Sequence, residues 1–277
     1  MVIAKIHNMF SSLTKAEKRI ASYIMASPQK AVHMKVKDLA AVCDTAPSAV
    51  TRFCDSLGLE GFADLKVRLA AELAVNEANE GAFDKNDSHE AVFNKVFNSG
   101  VFALKNTLEM LDYNTVSKVI ELLSSAKRIL IFGVGPTAPV VQNVAHRFSG
   151  MGLQAYAYTD LLYIKDAAMN MREGEVAMGI SHSGKTRVVV DALRFAKEAG
   201  ANTVAITSFV DSLVYKESDY AISVFSDEES YPVEAVSARI AHTCVIDAIM
   251  MCLVAERFDD FSSRQKQRQK IIGDIRY

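Results

Sequence analysis

Glycine, proline and cysteine are scarce in this chain, at 13, 5 and 4 of 277 residues. So little glycine and proline excludes a collagen-like or low-complexity fibre, and a chain that is half hydrophobic has ample apolar surface for a core. Cys43, Cys54, Cys244 and Cys252 form no C-x-x-C pair and sit among apolar neighbours. That argues against a zinc site or a disulfide framework and predicts buried, reduced thiols. Charge of one sign is also lacking: the net charge is −2, so no global polybasic character points to nucleic acid or membrane. Long apolar runs are missing too. The most apolar stretch, Val245 to Ala255, contains Asp247 and is shorter than the ~20 residues a bilayer span needs. Met1 to Phe10 has one lysine and no signal-peptide core. The expectation is a cytoplasmic protein with no membrane, metal or cofactor.

What is present is unevenly distributed. Residues 1–75 hold ten Lys and Arg against seven Asp and Glu, while residues 76–100 hold two against five. A basic head precedes an acidic body. The head reads as helices only. Lys15 to Met25 repeats apolar positions at Ala16, Ile20, Ala21 and Ile24, with Thr14 and Glu17 placed for a capping box and Pro28 closing the helix. Further helices are predicted over Val36 to Val42, Pro47 to Leu57 (ended by Gly58) and Phe62 to Val75. The second and third of these four have helix-turn-helix proportions. In that motif the recognition helix offers its N-terminal side chains to base edges, here Ser48, Thr51, Arg52 and Asp55, while Lys15, Lys18, Lys35 and Lys37 are placed to hold phosphates. A plain bundle with solvated lysines fits the helix pattern equally well.

The polar, acidic stretch 76–90 is the best domain boundary. Amphipathic helices follow over Glu90 to Leu111 and Thr115 to Ser124. Strands are then predicted at Arg128 to Phe132, Gln154 to Tyr158, Glu175 to Ile180, Thr203 to Ile206 and Ala221 to Phe225. Helices fit Thr137 to Met151, Leu161 to Met171, Thr186 to Ala199 and Glu234 to Phe258. Such alternation predicts a parallel sheet with helices on both faces. The resulting division is 1–75 head, 76–111 linker and connecting helix, 112–260 α/β domain and 261–277 basic tail. The tail has five basic residues and one acid from Arg264 to Arg276, which suits a solvated terminal helix or contact with DNA or a partner subunit.

Two glycine-bearing loops compete for the body's chemistry. Gly133-Val-Gly135-Pro-Thr-Ala138 follows a strand and opens a helix, with Asp160 ending the next strand; this fits the dinucleotide fingerprint G-x-G-x-x-[GA]. Gly179-Ile-Ser-His-Ser-Gly184-Lys185-Thr186 fits the nucleotide phosphate loop, but no apolar strand ending in Asp is present to hold magnesium. A third reading uses both loops. At the carboxyl ends of neighbouring parallel strands, Thr137, Ser181, Ser183 and Thr186 would converge as hydroxyl donors, joined by helix N-terminal N–H groups, on a phosphate monoester. In that reading Gly133, Gly135 and Gly184 shape the loops, and Lys185 joins the effector-binding set with its ammonium pointing outward.

The head segment from the T-x-x-E-x-x-I-A-x-Y-I opening, through Asp38-Leu39-Ala40, Arg52-Phe53-Cys54 and Leu57-Gly58, to Gly61-Phe62 with Leu65-Lys66, resembles the N-terminal winged-type helix-turn-helix domain of the RpiR family of sugar-responsive regulators. It departs from that family at Ala46 and Ala49, where Ser and Thr are usual, so Thr45 or Pro47 must start the recognition helix. Residues 115–256 resemble the sugar isomerase (SIS) domain through Gly133 to Thr137, Ser181 to Thr186, Ala196-Lys197…Gly200-Ala201 and the late helix around Ala238 to Ala248. Together the resemblances imply an all-α head joined to an α/β SIS domain. They imply a sequence-specific transcription regulator, homodimeric or homotetrameric, that binds double-stranded operator DNA and a phosphorylated sugar. DNA contacts would come from Lys37, Ser48, Thr51 and Arg52, and no residue is assigned to catalysis. The other reading is an aldose–ketose phosphate isomerase with an accessory helical domain, for which Glu234 and His182 are the available bases. His146 and His242 are expected to be structural, and Phe97, Phe102 and Leu104 to pack in their own domain or across a dimer.

Overall fold

The computed structural model describes residues 2–10, 13–80, 84–226, 236–256 and 258–273. It divides into two compact units that do not follow the linear order of the chain. One comprises Met1–Asp112 with Ser208–Asp211 and Ser223–Ala241, the other Tyr113–Thr207 with Ser212–Ile222 and His242–Tyr277.

The first unit holds seven helices among its described residues before residue 113: α1 (Val2–Met9), α2 (Lys15–Ala26), α3 (Pro28–His33), α4 (Val36–Val42), α5 (Pro47–Ser56), α6 (Phe62–Glu80) and α7 (His89–Met110). No strand occurs among the described residues of this head, in keeping with the all-α head that the resemblance implies. The capping box at α2 forms as expected, with Glu17 accepting from the backbone N–H and hydroxyl of Thr14 at 2.8 and 2.7 Å. Pro28 does not merely stop α2; its fixed φ opens α3 at the first helical position. α1 was not expected, and it forms around Ile3 and Ile6, both fully buried.

The turn between α4 and α5 is set by backbone geometry. Asp44 takes φ +48, Thr45 N–H bonds to the Ala40 carbonyl at 2.8 Å and Asp44 N–H to that of Ala41 at 3.1 Å. This is the Schellman closure, which accepts an aspartate where glycine is commoner. Arg19 of α2 pins the same Asp44 with a 2.7 Å ion pair. α5 begins at Pro47 with no side-chain cap at Ala46, and Gly58, at φ +61, closes it.

The second unit is built on a five-stranded sheet: β1 (Ile129–Phe132), β2 (Ala155–Tyr158), β3 (Val176–Ile180), β4 (Asn202–Thr207) and β5 (Tyr220–Ser223), in the order β2-β1-β3-β4-β5. β1 pairs in parallel with β2 and β3, and β3 with β4. The unit also holds α8 (Tyr113–Ser125), α9 (Ala138–Gly150), α10 (Leu161–Met169), α11 (Arg187–Glu198), the unexpected short α12 (Leu213–Glu217), α13 (Val236–Glu256) from His242 onward, and α14 (Phe258–Gly273). α10 and α11 bury Ile164, Val189, Leu193 and Ala196 against Leu130, Phe132, Ala177 and Ala205 of one sheet face. α9 crosses from β1 to β2 in the opposite lateral direction, and right-handed crossovers then place it on the other face.

α13 runs 21 residues, longer than the apolar stretch suggested, and among the described residues it alone is long and apolar enough to cross a membrane. Its Asp247 pairs with Arg147 of α9. Cys43 and Cys54 are buried, and burial pushes the Cys54 thiol up to about 11. Cys244 and Cys252 correct the expectation: they are exposed on α13, whose apolar residues circle the helix instead of lining one side. The tail extends the chain as α14, and the Arg264 guanidinium lies close over Gly152, where a Cβ would stand 2.6 Å from it.

Candidate functional site

α5 sorts its side chains by the helical period. Ala49, Val50, Phe53 and Cys54 are buried, while Ser48, Thr51, Arg52 and Asp55, spaced i, i+3, i+4 and i+7, are exposed on one face. Phe53 and Leu57 are fully buried, each supplying ~1.5–3 kcal/mol of apolar burial that fixes which face points out. Glu17 ties the end of this helix to the start of α2 by accepting from the Ser56 hydroxyl at 3.0 Å. Lys37 on α4, Lys35 just before it and Lys15 at the start of α2 are exposed; Lys18 lies partly over the Phe10 ring.

In the sheet unit, the strand order reverses between β1 and β3, which is where open α/β sheets hold ligands beyond their carboxyl ends. The two expected loops follow those two strands. They touch: a Cβ on Gly133 would stand 2.9 Å from the Ile180 carbonyl and 2.7 Å from Val141. Gly135 opens a 3-10 turn, Gly135–Thr137, at φ +59. There the Thr137 hydroxyl donates to the Val134 carbonyl at 2.9 Å, so it braces its own loop and does not reach across as a spare donor.

The 181–186 loop is arranged differently. Ser181 is 2% exposed and its hydroxyl bonds that of Thr186 at 3.0 Å, so it holds the loop from beneath. Ser183 is half-buried and accepts from Lys185 N–H at 3.3 Å, and Lys185 itself is exposed. Thr186 is the N-cap of α11 with no side-chain cap bond; Val189 and Val190 N–H donate to its carbonyl at 3.0 and 3.1 Å, and the N–H groups of Arg187 and Val188 belong to the first turn, which a helix leaves without intrahelical acceptors. Gly184, at φ +60, lies against Thr207 and Ser212, two buried hydroxyls that sequence reading missed. The one available signal was polar residues closing an apolar strand and opening a short helix.

Asp160 does not serve as a ribose acceptor: its carboxylate caps α10, accepting from the N–H groups of Leu162 and Tyr163. His182 sits with its ring 6.1 Å from that of buried His242. His146 is exposed on α9, where it lines a groove with α13 and α14. Glu234 lies outside the described residues.

The fold and these features define a two-part protein, a helix-turn-helix head with one exposed face on α5 and a doubly wound sheet with two glycine-bearing loops at its β1/β3 reversal. Residues 1–76 match the helix-turn-helix domain of the rpiR family, and residues 122–252 match the SIS domain. An HTH-type transcriptional regulator of Caldanaerobacter subterraneus subsp. tengcongensis is 34% identical over 94% of this chain and 92% of its own. The HexR regulator of Escherichia coli is 28% identical over 100% and 96%. The Vibrio vulnificus NanR protein complexed with ManNAc-6P shares the fold, with a TM-score of 0.64 at 20% identity over 99% of this chain and 98% of that one. The chain belongs to the rpiR family of helix-turn-helix regulators: it is a transcriptional regulator of the RpiR/HexR type with an SIS domain.

Proposed function

We propose that this regulator reads an operator in double-stranded DNA with α5 and is controlled by a phosphorylated sugar held on the 181–186 loop. The observation that carries the reading is the loop itself. Ser183, Thr186 and the first N–H groups of α11 gather neutral donors at the β1/β3 reversal, an arrangement suited to a phosphate dianion without a metal. The relative solved with ManNAc-6P supports the same class of ligand.

Binding, not turnover, is the role proposed. Isomerisation needs a base beside a carbonyl, and His182 is the one imidazole or carboxylate on the two loops. On DNA, Ser48, Thr51 and Arg52 would face base edges, Arg52 as a bidentate partner for guanine, with Lys37 on a phosphate. Two copies would present two heads. The exposed Phe93, Phe97 and Val101 on α7 support such an interface, whereas Phe102 is committed to its own unit, edge-on to Phe225 at 5.2 Å.

Selection of bound genomic fragments by the full chain, repeated with a panel of hexose and pentose phosphates, tests the reading. One enriched sequence whose recovery changes with one sugar phosphate is the expected result. Failure to select any sequence at low salt would overturn it.

A further inference from the structure

We propose that residues 207–214 form a strap through which the 181–186 loop sets the packing of α1 and α2. The inference rests on reading that loop as the effector site and says how its state would be felt elsewhere. Both ends of the strap hold the loop. Thr207, fully buried at the end of β4, donates its hydroxyl to the His182 carbonyl at 3.2 Å. At the far end, Val214 N–H donates to the Gly184 carbonyl at 3.0 Å. Between loop and strap there is no spare room: a Cβ on Gly184 would stand 2.1 Å from the Ser212 hydroxyl oxygen and 2.7 Å from that of Thr207.

The middle of the strap, Ser208–Asp211, belongs to the compact unit that contains the head. There Phe209 and Val210 line a crevice with Ile3 of α1, Met25 of α2, Met110 of α7 and Phe225. Val210 is 6% exposed, so its packing is committed. The few residues between the clamps reach at most ~3.3–3.6 Å each, which leaves little slack. In this proposal a displacement at Gly184 or Thr207 passes along the strap to Val210, and close-packed interiors answer such shifts by changing arrangement, not by stretching. A sugar phosphate that reorders the 181–186 loop would bias α1 and α2, on which the α4–α5 pair rests through Glu17 and Arg19.

Hydrogen exchange on the full chain without ligand tests the strap separately from the effector reading. Gly184→Ala and Gly135→Ala impose the same backbone strain, at φ +60 and +59, but a Cβ at 135 meets nothing within 4 Å. Gly184→Ala should speed exchange about tenfold or more in Ser208–Asp211, in α1 and in the C-terminal half of α2, while Gly135→Ala leaves α1 and α2 unchanged. Loosening confined to 181–186 and Thr207 would overturn the proposal. Should Gly184→Ala unfold the sheet, Thr207→Val, which keeps the volume and removes the donor, decides it by the same readout with a smaller expected effect. Val210→Ala supplies the ligand arm. It should bind a sugar phosphate as the wild type does yet lose most of the ligand's effect on DNA affinity, and full retention of that effect contradicts the strap. If no sugar phosphate binds any variant, the effector reading fails while the exchange data still judge the strap.

Discussion

The loops after β1 and β3 each carry one glycine near φ +60 and each bear hydroxyls, yet their surroundings differ. Gly135 looks into open space, and its neighbour Thr137 spends its hydroxyl on Val134. Gly184 has Ser212 and Thr207 pressed beneath it, which leaves Ser183, Lys185 and Thr186 on the outer side. The first loop is a self-braced turn that launches α9. The second is supported from below and presents its donors outward. Similar sequence spacing thus serves two duties, and only the packing distinguishes them.

The largest expected effect breaks or upholds that contrast directly. Gly184→Ala combines left-handed backbone strain of ~1–2 kcal/mol with overpacking of ~1–3 kcal/mol. Denaturant unfolding should show a loss of about 3 kcal/mol, against ~1–2 kcal/mol for Gly135→Ala, which has strain alone. Equal losses would mean that the two loops are supported alike. A second comparison concerns ligand binding. Thr186→Ala should weaken sugar-phosphate binding by ~10–100-fold, the loss of one charge-assisted bond, whereas Thr137→Ala should alter it by ~threefold or less.

The same division between holding and presenting runs through the head. Arg52 presents, so Arg52→Ala should leave thermal stability unchanged and cost ~1–3 kcal/mol of discrimination between operator and non-operator DNA, measured by competition binding. Glu17 holds. The Thr14 hydroxyl above all, then the Thr14 backbone and Ser56, draws its carboxyl below the usual range against the opposing effect of burial. A carboxylate with a lowered folded pKa contributes stability that is complete above its unfolded value of ~4.3 and is lost as pH falls through the folded value. Glu17→Gln should therefore cost ~1 kcal/mol at neutral pH and less at acid pH, so that its melting curve converges on the wild type's below about pH 4.

Legibility followed how local each signal was. The exposed face of α5 could be read because four positions three and four apart fix it, and Pro47 and Gly58 mark its ends by their own backbone limits. The places of the two loops could be read because both sit at strand-to-helix junctions. α3 was hidden because a proline that opens a helix looks the same in sequence as one that ends it. The bond by which Thr137 braces its own loop on Val134 was not legible in the spacing. Thr207 and Ser212 were invisible, because what places them under Gly184 is the pairing of β3 with β4, some 25 residues apart in the chain.

Lys185 separates the sugar-phosphate loop from a nucleotide-type loop, in which its ammonium would have to reach the terminal phosphates. It is exposed here, while Ser183 is half-buried among the donors. Calorimetry of wild type, Ser183→Ala and Lys185→Ala with one responsive sugar phosphate is the most direct measurement. Ser183→Ala should weaken binding by ~10–100-fold and Lys185→Ala by well under tenfold. A severe Lys185 defect beside an unaffected Ser183 variant would contradict this assignment of the site.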